Sequence, residues 1–308
     1  MNQDSVQAFV RSLPASRIQG ESRVVAVDRC PVCHGAGLRP AKFYTWYLNV
    51  GEPFGVAECG HCGHLFLSPR PGPDLVGTLY RTGVLEGYPE YVLKSYTRRL
   101  KDSFVEMGYV RDIRTLQTRL ARGANILEIG CSSGEFMALA VRAGHAACGV
   151  EADPDACAKA RAAGLNVFCG TIEEYAPVGQ YDAVYSSHVI EHLESPVLVA
   201  GKIFDLLKPG GWLLAEVPNQ LANAYVRRDR WLRRLPQRVR SGWSIHHLHF
   251  FSPATFRRLF ADRGFEITWV KTFDQNPVSL LRRAIRWTTR LTFGGGATLI
   301  QVLARRPA

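Results

Sequence analysis

Residues 126–136 read Ile126-Leu127-Glu128-Ile129-Gly130-Cys131-Ser132-Ser133-Gly134-Glu135-Phe136, an apolar run that breaks into a short glycine-bounded loop and resumes with helical spacing. The pattern predicts strand, tight turn, helix. Gly130 and Gly134 let the backbone bend sharply and approach a ligand that a side chain would hold away. Taken alone, the turn favours a ligand loop, and it also fits dinucleotide binding or plain close packing.

Outward from the turn, short apolar strands alternate with helical stretches. The expected order is strand 126–129, helix 134–143, strand 146–150, helix 154–163, strand 165–168, strand 181–186, helix 196–207 and strand 211–217. A helix at 253–263, a strand near 265–271 and a last strand near 297–304 follow. This alternation predicts an α/β fold with a doubly wound, mostly parallel sheet and ligands at the carboxyl ends of its strands.

The strand 146–150 runs into Gly149-Val150-Glu151-Ala152-Asp153-Pro154, which places an acid about twenty residues beyond the glycine turn. An acid there accepts hydrogen bonds from the ribose hydroxyls of an adenosine ligand. Asp153 also suits the N-cap of the helix opening at Pro154, a role that Glu151 fits poorly.

Farther on stand Tyr181-Asp182-Ala183-Val184, then His188-Val189-Ile190-Glu191-His192, then Leu207-Lys208-Pro209-Gly210-Gly211. With the glycine turn and the acid after the second strand, these motifs resemble the class I S-adenosylmethionine-dependent methyltransferases over roughly residues 124–304. The resemblance implies a seven-stranded Rossmann-like sheet and S-adenosyl-L-methionine as cofactor. It also implies that Gly130 and Gly134 flank the methionine part, Glu128 orients its amino group, Glu151 holds the ribose, and Thr171 and Ile172 lie against the adenine. Two departures stand out. Ser132 occupies a place where many members have a third glycine, and Gly170-Thr171 replaces the acid often found after the third strand.

His188-Val189-Ile190-Glu191-His192 also matches the His-x-x-Glu-His pattern of a zinc peptidase class, but that chemistry needs the motif inside an established helix. Here it leaves a buried strand directly. A similar Glu-x-x-Glu-His arrangement binds a divalent cation in some methyltransferases, and His188 in place of a carboxylate suits magnesium less well. Packing and loop orientation are the competing role for the Glu-His pair. Residues 243–251, with His246, His247 and His249 before Ser252-Pro253, resemble the segment that closes over the pocket in small-molecule members of the family. His247 matches the family position, where a histidine titrating near neutral pH is suited to remove a proton from an acceptor hydroxyl; a structural role is the competing one. The candidate catalytic residues are His247 and His188.

Near the N-terminus, Cys30-Pro31-Val32-Cys33 and Cys59-Gly60-His61-Cys62 form two Cys-x-x-Cys knuckles. Two such pairs complete a tetrahedral four-sulfur zinc site, and a closed site of this kind is structural rather than catalytic. Phe43, Tyr44, Trp46, Tyr47 and Phe54 in the spacer supply the small core of a zinc-ribbon-like domain, with His34, His61 and His64 as bystanders. The Pro-rich piece 68–73 reads as a linker. The expected organisation is an N-terminal arm 1–23, a zinc-ribbon-like domain 24–73, a helical lead-in 74–123 and the main domain 124–308 with a basic lid at 220–250.

The 308 residues carry 38 Lys and Arg against 27 Asp and Glu, a formal net charge of +11. Such a balance attracts phosphorylated ligands, nucleic acid or an anionic membrane surface without naming one. Residues 225–240 concentrate arginine around Tyr225 and Trp231, and forked guanidiniums suit phosphates, while a solvated lid is the competing reading. Residues 280–291 have the form of a short basic amphipathic helix compatible with peripheral membrane contact. No apolar run approaches the roughly 18 residues of a membrane span, and no signal pattern opens the chain, so the expected location is cytoplasmic, including the inner face of the membrane. The sequence-level reading is a methyltransferase acting on an oxygen or carbon of a small polar acceptor, one that admits a phosphate and leans to a sugar or glycan intermediate. An RNA base methyltransferase and a non-catalytic binding protein of the same fold are the rivals. Nothing in the sequence sets an oligomeric state.

Overall fold

The computed structural model describes residues 24–48, 54–72, 104–177, 179–220, 247–273 and 297–308. The arm 1–23, most of the lead-in, the arginine-rich segment 225–240 and the amphipathic stretch 280–291 lie outside the described residues.

Seven strands make the main sheet: β6 (Asn125–Ile129), β7 (Ala146–Glu151), β8 (Asn166–Cys169), β9 (Tyr181–Ser187), β10 (Leu207–Pro218), β12 (Glu266–Phe273) and β13 (Leu299–Arg305). Their order across the sheet is β12-β13-β10-β9-β6-β7-β8. The strands from β10 to β8 pair in parallel, and β13 runs antiparallel to both β10 and β12. Helices α3 (Glu135–Arg142), α4 (Pro154–Ala162), α5 (Pro196–Leu206) and α6 (Pro253–Ala261) provide crossovers and cover. β6 is buried on both faces, as a central parallel strand must be. Ile126 packs in a cluster with Phe136, Tyr185, Leu214 and Leu303, whereas Leu127 and Ile129 join the cluster containing Val184, Ala215 and Phe256.

Helix α2 (Phe104–Gln117) is the described part of the lead-in, and it is fastened by polar contacts as well as packing. Buried Asp112 accepts from Tyr185 Oη (2.9 Å) and Gln301 Nε2 (2.9 Å), and Gln301 also donates to Glu216 Oε2 (3.1 Å). Arg111 closes the group, with Nη2 2.8 Å from Asp112 Oδ1 and 3.0 Å from Glu216 Oε2. Burial, reinforced by the Asp112 carboxylate, pushes Glu216 up to about 7. Arg111→Met removes a guanidinium from a two-carboxylate group, an operation that costs about 3–5 kcal/mol when the pair is fully buried. Because the Arg111 side chain is 40% exposed, the expected loss is about 2 kcal/mol, read as a lowered urea midpoint.

The cysteine-bearing segment builds a second, antiparallel sheet from β2 (Leu38–Pro40), β3 (Val56–Cys59) and β4 (Leu65–Leu67), with helix α1 (Lys42–Tyr47) beside it. Its core joins Ala41, Tyr47, Leu48, Phe54, Val56 and Leu67 to Leu248 and Phe250 from the main domain's sequence. The fourth strand of this sheet is β11 (His249–Phe250), which pairs antiparallel with β4. The Pro-rich stretch read as a linker is part of this module: Arg70–Pro71 (β5) pairs with Val24–Val25 (β1), an edge position where proline is tolerated.

Candidate active site

The strand order changes direction between β6 and β9, so the carboxyl ends of these two strands open the crevice in which an open α/β sheet binds its ligand. The glycine loop leaves β6 on one side, and His188 leaves β9 on the other.

The loop takes three left-handed residues, Gly130 (φ 73°), Ser132 (φ 47°) and Gly134 (φ 88°). The glycine requirement has a source beyond the one expected from the sequence. A Cβ on Gly130 would lie 2.2 Å from Val189 Cγ2, and one on Gly134 2.2 Å from Leu165 Cδ1. Backbone conformation and packing against the protein's own side chains therefore require glycine here, in addition to any ligand. Ser132 adopts the conformation a glycine would, so the loop has the open shape despite the substitution. Ser132→Gly is expected to be tolerated and to stabilise the fold by up to about 1 kcal/mol in thermal denaturation, the left-handed penalty less the entropy of a glycine.

Two carboxylates flank the loop differently. Glu151 Oε2 accepts from Ser132 N (2.8 Å) and Oε1 from Asp153 N (2.8 Å), tying the two strand ends together, while Asp153 caps α4 as its position suggested. Glu128 is 4% exposed, burial raises its carboxyl well above the usual range, and Oε2 has no hydrogen-bond partner among the described residues. A buried carboxyl with one oxygen unsatisfied fits the ammonium of an amino-acid moiety. After β8, Ile172 is buried and Thr171 exposed, with Thr171 N donating to Glu174 Oε2 (2.8 Å). A carboxylate does stand after this strand, three residues beyond Thr171.

Across the crevice, His188 is held at φ 58°, a costly conformation for a residue with a side chain and one that concentrates at functional sites. Its Nδ1 lies 3.5 Å from Glu191 Oε1 and its Nε2 3.8 Å from Glu216 Oε1. Burial opposes its charged form, but Glu191 and Glu216 prevail and raise its pKa. Ile190–His192 forms a single 3-10 turn, not the established helix that zinc peptidase ligation needs. Glu191 is 1% exposed, and neither of its oxygens has a hydrogen-bond partner among the described residues. Burial would raise it, yet His192 and His188 hold it at about 2, so it is an anion. Glu191, His192 and His247 bring ligand atoms within 4.8 Å of one another. A buried carboxylate beside two imidazoles is a donor set for a divalent cation. His247 Nδ1 is 3.0 Å from Gln220 Oε1, a carbonyl oxygen, which places the ring proton on Nδ1 and the basic lone pair on Nε2.

The four cysteines also come together. Cys30 and Cys62 Sγ are 3.6 Å apart, Cys33 and Cys59 Sγ 3.6 Å, and all four sulfurs fall within 4.8 Å of one another. Four thiolates about 2.3 Å from one tetrahedral zinc ion would be about 3.8 Å apart, so the arrangement fits that ion. None of the four is in a disulfide. His34, His61 and His64 are not in this ligand set, as expected; His64 is completely buried and bonded to His249 at 3.2 Å. Gln220, Glu216 and His249 are the site residues that sequence reasoning missed. Glu216 and Gln220 flank the end of β10, the strand beside β9, and that placement is the signal that would have found them.

The methyltransferase domain family matches residues 98–270, more than half of the chain. The ubiquinone biosynthesis O-methyltransferase of Ruegeria pomeroyi is 31% identical over 180 residues, 55% of this chain and 70% of that protein. Its counterpart in Bordetella avium is 27% identical over 172 residues, 51% of this chain and 68% of that protein. A solved S-adenosylmethionine-dependent methyltransferase from Archaeoglobus fulgidus is 20% identical and aligns with 70% of this chain and 99% of its own at a TM-score of 0.49. The crevice between β6 and β9, with its glycine loop and flanking acids, therefore belongs to a member of the methyltransferase domain family, a class I S-adenosylmethionine-dependent enzyme.

Proposed function

We propose that the chain transfers a methyl group to a hydroxyl oxygen of a small polar acceptor held between His188 and His247. The observation that carries this reading is Glu191, a buried anion whose Oε1 lies 3.5 Å from His188 Nδ1 and 3.7 Å from His192 Nε2, grouped with His192 and His247 beside the crevice. A hydroxyl that must shed its proton as it is methylated suits such a cluster, whereas a base nitrogen with a lone pair does not need it. The names of the relatives, ubiquinone biosynthesis O-methyltransferases, support oxygen as the acceptor atom. A sugar or glycan hydroxyl falls in the same chemical class.

S-adenosylmethionine, when bound, supplies a methyl already activated on a sulfonium. Glu128 Oε2 would take its ammonium, Gly130 and Gly134 the turn along its methionine part, Glu151 its ribose hydroxyls, and Thr171 and Ile172 its adenine edge. His247 Nε2 would accept the acceptor's proton, with Gln220 holding the ring by Nδ1. Glu191, His192 and His247 would alternatively hold a divalent cation that lowers the pKa of that hydroxyl. Cys30, Cys33, Cys59 and Cys62 would hold a structural zinc ion.

Glu151→Ala is expected to weaken cofactor binding about a hundredfold by calorimetry, since hydrogen bonds to a charged acceptor contribute about 1.5–3 kcal/mol each. For the acceptor, the purified chain is given methyl-labelled cofactor with small hydroxylated compounds in one arm and total RNA in the other. Label in an ether of a small compound is the expected product. Label confined to RNA would overturn the proposal.

A further inference from the structure

The cysteine module shares a sheet with the catalytic segment. β11 is its edge strand, in register His249 to Phe66 and Phe250 to Leu65. One residue earlier, Leu248 N donates to Glu191 O (2.8 Å), and Leu248 O accepts from Leu67 N (2.9 Å). The segment carrying His247 is thus attached directly to β4, and the turn carrying Glu191 and His192 is attached to it through Leu248.

Two buried imidazoles add a second attachment. His249 Nε2 is 2.8 Å from Leu193 O, and its Nδ1 is 3.2 Å from His64 Nε2. A carbonyl only accepts, so His249 Nε2 carries a proton and, in the neutral ring, Nδ1 is the acceptor; His64 Nε2 must then donate. The relay runs one way, from His64 to His249 to Leu193, next to His192. His64 is anchored in the second knuckle, where its carbonyl accepts from Cys59 N (2.9 Å), and its ring stacks on Phe66. The cofactor loop, by contrast, is held by bonds to the neighbouring strand: Gly130 N to Val150 O (2.8 Å) and Ser132 N to Glu151 Oε2.

We propose that the cysteine module positions the acceptor half of the active site, with His249 as the positioning residue that, through His64 and Leu193, holds Glu191 and His192 against His247. The functional meaning rests on the proposed role of that cluster; the mechanical coupling does not. Folding of the second knuckle then governs the order of residues 189–193 and 247–250 and leaves in place the hydrogen bonds that fasten the cofactor loop to Val150 and Glu151.

Hydrogen exchange on the full-length chain tests this, together with zinc content and cofactor affinity. His249→Phe keeps an aromatic in the stack and deletes both hydrogen bonds. Its expected signature is exchange at least tenfold faster in 189–193 and 247–250, with exchange in 126–136 and cofactor affinity within twofold of the parent. His249→Gln, whose amide can donate to Leu193 and accept from His64, is expected to restore protection to within threefold. Unchanged exchange in the two segments, or an equal rise throughout including 126–136, would overturn the proposal. If His249→Phe does not fold, His64→Phe must give the same segment-selective pattern, and a uniform rise there is equally contrary. Failure to methylate any small hydroxyl would sink the functional reading and leave this exchange pattern standing.

Discussion

Cys59→Ser is expected to strip the chain of stoichiometric zinc and to unfold the module of residues 24–72, lowering the stability of that region by roughly 5 kcal/mol or more, because structural zinc contributes about 10–16 kcal/mol of binding energy that is also folding energy. Beyond the metal site, the module is held by its own small cluster and by Val32, Ala57 and Phe66, which pack into the main domain's core. Its own cluster has eight buried residues, two of them borrowed from beyond residue 247, and a core that small does not offset the entropy of ordering its chain. Cys59 is buried and its backbone amide is already committed to His64 O, so the serine hydroxyl, a poor zinc ligand, cannot move to compensate. Metal analysis combined with limited proteolysis reads the outcome. A variant that keeps one zinc per chain and resists cleavage in 24–72 as the parent does would show that the four sulfurs are not a metal site.

His247→Ala is expected to slow methyl transfer by about 10²–10⁴, the usual contribution of a positioned general base, while leaving cofactor affinity within about twofold. The separation follows from geometry. His247 sits on the segment beside Glu191 and His192, whereas the cofactor loop is fastened to Val150 and Glu151 on the other side of the crevice. His247→Gln distinguishes proton removal from shape, since an amide fills the site but is not a base. Equal single-turnover rates for parent and both variants would remove His247 from the chemistry. A loss reversed by added divalent cation would assign it to cation binding instead.

The alternating strands and helices were legible because parallel strands buried on both faces read as short apolar runs, and Ile126-Leu127-Glu128-Ile129 is such a run. The long strand Leu207–Pro218 begins four residues earlier than expected because Lys208-Pro209-Gly210-Gly211 is taken up as an irregular entry into β10 beside Tyr181. The two knuckles announced the sulfur cluster, since local spacing alone brings paired cysteines together. What spacing does not carry is contact between distant segments. His64 and His249 are 185 positions apart, and β11 is too short to show any alternation, so nothing local links the cysteine module to the site. Glu191 was visible as a motif member, but its missing hydrogen bonds are a property of the packed interior. The left-handed φ of Ser132 was not legible, because a sequence displays a residue's type and not its backbone angle.

A structure of the full chain with S-adenosylhomocysteine bound tests the assignment of the site most directly. The amino group should meet Glu128 Oε2, the ribose hydroxyls Glu151, and the adenine the Thr171–Ile172 backbone, leaving the sulfur open toward His188 and His247. A ligand seated elsewhere, or one that leaves Glu128 buried and still unbonded, would contradict it.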